Sequence, residues 1–243
     1  SRAKFFAQEA LRELTEEEQI TALRLLEMQR HAMLMYTSCG WFFDELSGIE
    51  TVQVIQYAAR ALQLSKELLD KDYEPGFLER LEKAKSNIRE HRDGRRIYEK
   101  FVKPAIVDRE KIAAHFAISS IFEDYTEEAR IFSFTVLQED RQTFVAGNTR
   151  MVIGRVKAIF EITRNSDSLT YGVLYLGEHH VNCGVRYFQG LEQYEAMARE
   201  MQAAFDSSDF AQVIRVMDQH FGASNYTLAH LFRAELEQIG RSF

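Results

Sequence analysis

A chain of 243 residues, 46% hydrophobic and 28% charged, can bury a sizeable core and has the balance of an ordinary globular protein. Its formal net charge of −7 argues against a nucleic-acid phosphate backbone as main partner, and no apolar run has the length that spans a bilayer. Two cysteines make no disulfide framework and no signal peptide is visible, so the expected compartment is a reducing cytoplasm.

The chain opens without an initiator Met, in helix-like sequence carrying Phe5, Phe6, Leu11 and Leu14, which reads as a piece of a longer protein. Thr15-Glu-Glu-Glu18 has the spacing of a capping box and opens a helix with Ile20, Leu23, Leu26, Met33 and Leu34 on one face. That helix is expected to end near Cys39, with Gly40 supplying the left-handed residue. Ser47-Gly-Ile-Glu50 repeats the capping-box spacing, so the next helix starts near Gly48 and runs to about Leu69. Further helices follow around Phe77–Ile88 and Ile97–Val102, the latter ended by Pro104. Asp108 then caps a helix bearing Ile112, Phe116, Ile118 and Ile121.

Near Ala129 the period changes from helical to alternating. Strands are expected over 131–138 and 141–146 about a Glu139-Asp140 turn. Val156, Ala158, Phe160 and Ile162 share one face of the next strand, and a hairpin turns about Gly177-Glu178. Helices return from Leu191 to Phe205, from Asp209 to His220 and from Thr227 to Ile239. The fold class is therefore α+β: a helical bundle over 1–128, an antiparallel β meander over 129–189 and C-terminal helices over 190–243.

The connector Trp41-Phe-Phe-Asp-Glu-Leu46 stands out, because loops normally face water and are polar. Aromatics at helical turns are usually core, which makes Trp41, Phe42 and Phe43 a plug for one end of the bundle. The competing reading makes Trp41 an exposed stacking platform and Asp44 or Glu45 hydrogen-bond acceptors for a polar ligand such as a sugar. As sequence neighbours, Asp44 and Glu45 are poorly placed to form an acid–nucleophile pair, which needs two carboxylates about 5–10 Å apart across a cleft.

Glu178-His-His-Val-Asn-Cys183 invites a zinc reading that strand geometry resists, since His179 and His180 point to opposite faces, as do His180 and Cys183. Cys183 reads instead as a small buried hydrophobe. Cys39, near a helix C-terminus whose dipole disfavours a thiolate, reads as core rather than nucleophile. No catalytic residue, metal site or cofactor is assigned.

The stretch HAMLMYTSCGWFFDELSGIETVQVIQYAARALQL (31–64) resembles a bacterial domain of unknown function found C-terminal to glycoside hydrolase family 57-type catalytic domains. A second match lies in LGEHHVNCGVR (176–186). The resemblance implies a catalytic barrel upstream in the same parent chain, holding the Glu nucleophile and Asp acid that nothing here carries. It also implies that the helical domain helps to wall the sugar cleft. On that view Trp41, Phe42, Asp44 and Glu45 contact oligosaccharide, with His179, His180 and Asn182 as weaker candidates for a contact with the missing domain or its ligand. The other class of function is an interaction module that docks a catalytic domain or forms a homodimer, with no ligand of its own.

Overall fold

Thr15 opens the first long helix in the way its neighbours dictate. The computed structural model describes residues 1–122, 127–177, 180–222 and 225–228, and the chain divides into two compact units, Ser1–Ile106 and Val107–Phe243. In the first unit a short helix α1 (Arg2–Glu9) precedes α2 (Glu16–Leu34). Both halves of the capping box form: the Glu18 N–H donates to Thr15 Oγ1 at 3.2 Å and the Thr15 N–H to Glu18 Oε2 at 2.9 Å.

Helix α2 stops at Leu34, before the expected end near Cys39, and Cys39–Phe42 forms a separate single turn, α3. Gly40 is therefore not a left-handed terminator. Its missing side chain serves another purpose, because a Cβ there would lie 2.9 Å from a Val54 methyl. Helix α4 (Ile49–Leu69) starts where expected, but Gly48 is its N-cap and no side chain caps it. Helices α2 and α4 pack side by side, joined by Arg24 and Glu67 at 2.5 Å.

Helix α5 (Glu74–Leu81) is shorter than its apolar spacing suggested; Lys85 then pairs with Asp93 in an isolated antiparallel bridge. Asp93 accepts from the Arg96 N–H at 3.1 Å and so caps α6 (Gly94–Ile97), which runs on through a π-helical turn, Tyr98–Val102. The core of this unit is Ile55, Ala59, Ile97, Tyr98 and Val102, flanked by Leu46, Phe77 and Leu81. Burying Tyr98 leaves its hydroxyl a partner, Glu74 Oε1 at 2.7 Å.

The second unit begins at the predicted cap, where Asp108 Oδ1 accepts from the Lys111 N–H at 2.7 Å and starts α7 (Arg109–Ser119). Every residue from Ile112 to Ser119 is buried. A helix enclosed on all sides belongs to the middle of a core, and α7 packs on the sheet. The division between the two compact units falls after Ile106.

The sheet is a six-stranded antiparallel meander in the order β1 (Glu128–Ile131), β2 (Phe134–Ala146), β3 (Thr149–Phe160), β4 (Ser166–Tyr175), β5 (Val181–Tyr187) and β6 (Asn225–Tyr226). The turn expected at Glu139-Asp140 does not form; a bulge lies there inside the single long strand β2. The turn comes earlier, at Phe132-Ser133, with Phe132 at φ 52°. Ile162 falls beyond the end of β3 and is exposed.

Both faces of this sheet are covered. Helix α7 shares one core with Val136, Val156, Leu169, Tyr171, Cys183 and Val185. The other face buries Met151, Ile153 and Leu174 against α8 (Leu191–Asp206) and α9 (Phe210–Phe221). Asp209 caps α9 as predicted, accepting from the Gln212 N–H at 2.9 Å. Gly184 has no Cβ where one would meet the Phe221 ring at 2.4 Å, so α9 sits down onto β5. The meander and the helices after it share this core within one unit; the final helix expected over 227–239 lies, beyond Leu228, outside the described residues.

Candidate functional site

The connector between α2 and α4 turns its rings outward. Trp41 is 75% exposed, Phe42 74% and Phe43 50%, so the plug expected from aromatics at a helical turn is not what forms. Phe42 and Phe43 meet edge to face, their centroids 5.2 Å apart. The reason lies on the opposite side of α3. Gly40 backs directly onto Val54, and its carbonyl accepts from Thr51 Oγ1 at 3.1 Å, which fixes one side of the turn against α4. The side chains that follow point away from that contact.

Glu45 anchors the other end. Its Oε1 accepts from the Ser47 N–H at 2.9 Å and from the Ser86 hydroxyl at 2.7 Å, while its Oε2 accepts from the Asn87 N–H at 2.8 Å. Asn87 returns a side-chain N–H to the Asp44 carbonyl. The Ser47 N–H foremost, then the Ser86 hydroxyl, stabilise the carboxylate and hold its pKa down at about 2. Glu45 is thus a positioning residue, tying the connector to the segment after α5. A glycosidic general acid must keep its proton near neutrality, and Glu45 is arranged to do the opposite. The Asp44 side chain stands exposed beside the rings, so the two neighbouring acids have different environments.

The remaining sequence candidates fall in the second unit. His179 lies outside the described residues. His180 is exposed just before β5, its N–H donating to the Gly177 carbonyl at 3.1 Å. Asn182 is half-buried in β5 opposite Leu174. Cys183 is fully buried under α7, as expected, and burial pushes its thiol pKa up. Cys39, expected in the core, is exposed at the start of α3.

Only Trp41, Phe42, Asp44 and Glu45 are therefore gathered in one place. Sequence reasoning missed the residues that hold them there, Ser86 and Asn87, and no local signal marks either. It also missed how much of this end of the bundle is exposed and apolar: Met33, Tyr36 and Ile49 are open to solvent as well.

Fold and site together define a two-unit α+β protein with an ordered, outward-facing aromatic loop, in which no described helix is long and apolar enough to cross a membrane. The chain belongs to the family described as a domain of unknown function, DUF3536, whose sequence profile matches residues 1–232. No curated protein and no solved structure matches it.

Proposed function

We propose that this chain is a non-catalytic module that works beside a glycoside hydrolase family 57-type catalytic domain, with the loop from Trp41 to Glu45 as one wall of a sugar-binding cleft. One observation carries the reading: Trp41 is three-quarters exposed on a backbone that Gly40 and Glu45 hold from both sides. An ordered, exposed indole is what stacking on the apolar face of a sugar requires, because little conformational entropy remains to be lost on binding. Asp44 supplies an exposed acceptor for hydroxyls, and Glu45 keeps the loop in place. The catalytic barrel, oligosaccharide and bacterial origin enter through the likeness of residues 31–64 and 176–186 to such domains.

A second reading, a docking surface for a catalytic domain or a second copy of the chain, is favoured by the exposure of Met33, Tyr36, Phe42 and Ile49 around the same loop. Titration of Trp41 fluorescence with α-glucan oligosaccharides, alongside sedimentation of the same sample, separates the two. The cleft reading expects a saturable change that Asp44→Asn weakens, from a monomer inactive on the glucan alone. No fluorescence change in a chain that sediments as a dimer would assign the loop to docking.

A further inference from the structure

The second unit carries a cleft of about 490 Å³ where the end of α7 stops short of the long hairpin β2–β3, lined by Ser120, Ile121, Arg141, Thr143, Arg150 and Val152, among others. Two guanidinium groups flank it. Arg141 donates to the Ser120 carbonyl at 2.7 Å and Arg150 to the Ile121 carbonyl at 3.2 Å, so each is fixed by one bond to the turn that follows α7. A guanidinium has five N–H donors, and among the described residues each of these two uses few of them. Neither has a carboxylate partner among the described residues, although the chain as a whole is acidic.

The sheet behind Arg141 is unusual as well. Arg141, Gly154 and Tyr171 are cross-strand neighbours in one row of the sheet. The absence of a side chain at Gly154 makes room for the tyrosine hydroxyl, which would lie 2.4 Å from a Cβ there. Arg141 Nε and the Tyr171 hydroxyl are both buried, and neither has a hydrogen-bond partner among the described residues. Buried polar atoms are nearly always satisfied, and two unsatisfied ones in one cross-strand row point to a place that a water, ion or ligand completes.

We propose that this cleft binds a small oxyanion, a carboxylate or a phosphate group, held between Arg141 and Arg150. Planar guanidinium forks match the paired oxygens of such groups. Thr143 offers a hydroxyl on the same wall, and Tyr171 backs Arg141 from within the core. The site lies in the second unit and is independent of the aromatic loop, so it holds or fails whatever that loop recognises.

Calorimetric titration of the whole chain with inorganic phosphate and, separately, with citrate tests this, with sodium chloride of matched ionic strength as control. Saturable binding of either anion is expected, and Arg150→Gln should weaken it about tenfold or more, as the loss of a charge-assisted contact does. Arg141→Gln should do the same, and Arg150, being exposed, keeps the test available should the Arg141 variant fold poorly. Tyr171→Phe gives a readout that a purely structural role would not: the free protein should be at least as stable, since an unsatisfied hydroxyl is removed, while anion affinity falls. Response to phosphate alone identifies a phosphoryl ligand, and response to citrate alone a carboxylate. Heats equal to those of chloride for both anions, or binding unchanged in both arginine variants, would overturn the proposal.

Discussion

The Ser86 hydroxyl donates to Glu45 Oε1 at 2.7 Å across 41 residues of chain, and it does so between two stretches that have no regular secondary structure of their own. This bond, with those from the Ser47 and Asn87 N–H groups, turns a connector of aromatic residues into an ordered surface. The rings could not otherwise keep one arrangement, since an untethered connector would sample many backbone conformations. Order here rests on a carboxylate at one end and on the packing of Gly40 against Val54 at the other.

Acid should therefore loosen the loop. The Glu45 carboxyl is held at about 2, against 4.5 for an ordinary glutamate, so the unfolded chain takes up this proton first. The stabilisation is complete above pH 4.5 and is lost as pH falls towards 2. Glu45→Gln should lower the melting temperature near neutrality, and the gap from wild type should close through that window. A gap that stays constant with pH would show that Glu45 does not act through its charge.

Close approach sets the second unit. A methyl group added by Gly184→Ala would meet the Phe221 ring at 2.4 Å, against backbone on one side and a packed helix on the other. Overpacking of this kind costs about 1–3 kcal/mol, measurable as a shift in the urea midpoint with unchanged slope. Phe221→Leu in the same chain should recover part of that loss, because the two residues compete for one space. Strictly additive effects would mean that the ring moves aside freely.

Helix α7 carries a histidine within its buried stretch. His115 is fully buried, and burial pushes its pKa down to about 4 from 6.5. The folded protein keeps the imidazole neutral while the unfolded chain protonates it, so stability is complete above pH 6.5 and declines as pH drops towards 4. The full effect is about 3 kcal/mol. Comparing denaturation of wild type and His115→Phe across this range isolates it, since their difference in stability should vary with pH by this one proton. Parallel profiles would show that the imidazole reaches water.

How much of this was legible depended on how local the cause was. The caps at Thr15, Asp108 and Asp209 each act on an N–H three residues on, and each could be read from the sequence. So could the antiparallel meander, whose connections are short. Glu139-Asp140 looked like a turn because two acids interrupt an apolar run. The partner that lets Asp140 remain within a strand, the Tyr194 hydroxyl at 2.5 Å, lies 54 residues away. Met151, Val152 and Ile153 are all buried because helices cover both faces, and a one-sided reading of β3 has no place for that pattern. At the candidate site the residue types were visible and their division of labour was not. Ser47 and Glu50 have the spacing of a cap, yet it is Glu45 that takes the Ser47 N–H. Nothing near Arg141 or Arg150 in sequence says that both reach carbonyls just after α7.

The chain's single tryptophan makes the loop directly observable. Trp41 lies on α3 with three-quarters of its surface open, so its emission should be that of a hydrated indole and should be quenched readily by iodide. Glu45→Gln should leave that accessibility unchanged while raising the mobility of the ring, seen as lower fluorescence anisotropy, because the substitution frees the backbone without burying the indole. The distinction matters for function. An exposed but mobile ring would lose entropy on stacking against any partner, whereas the tethered one has already given it up on folding. Emission shifted to the blue and protected from iodide in the wild-type monomer would show that the ring packs on its own unit, and the loop would then be structural.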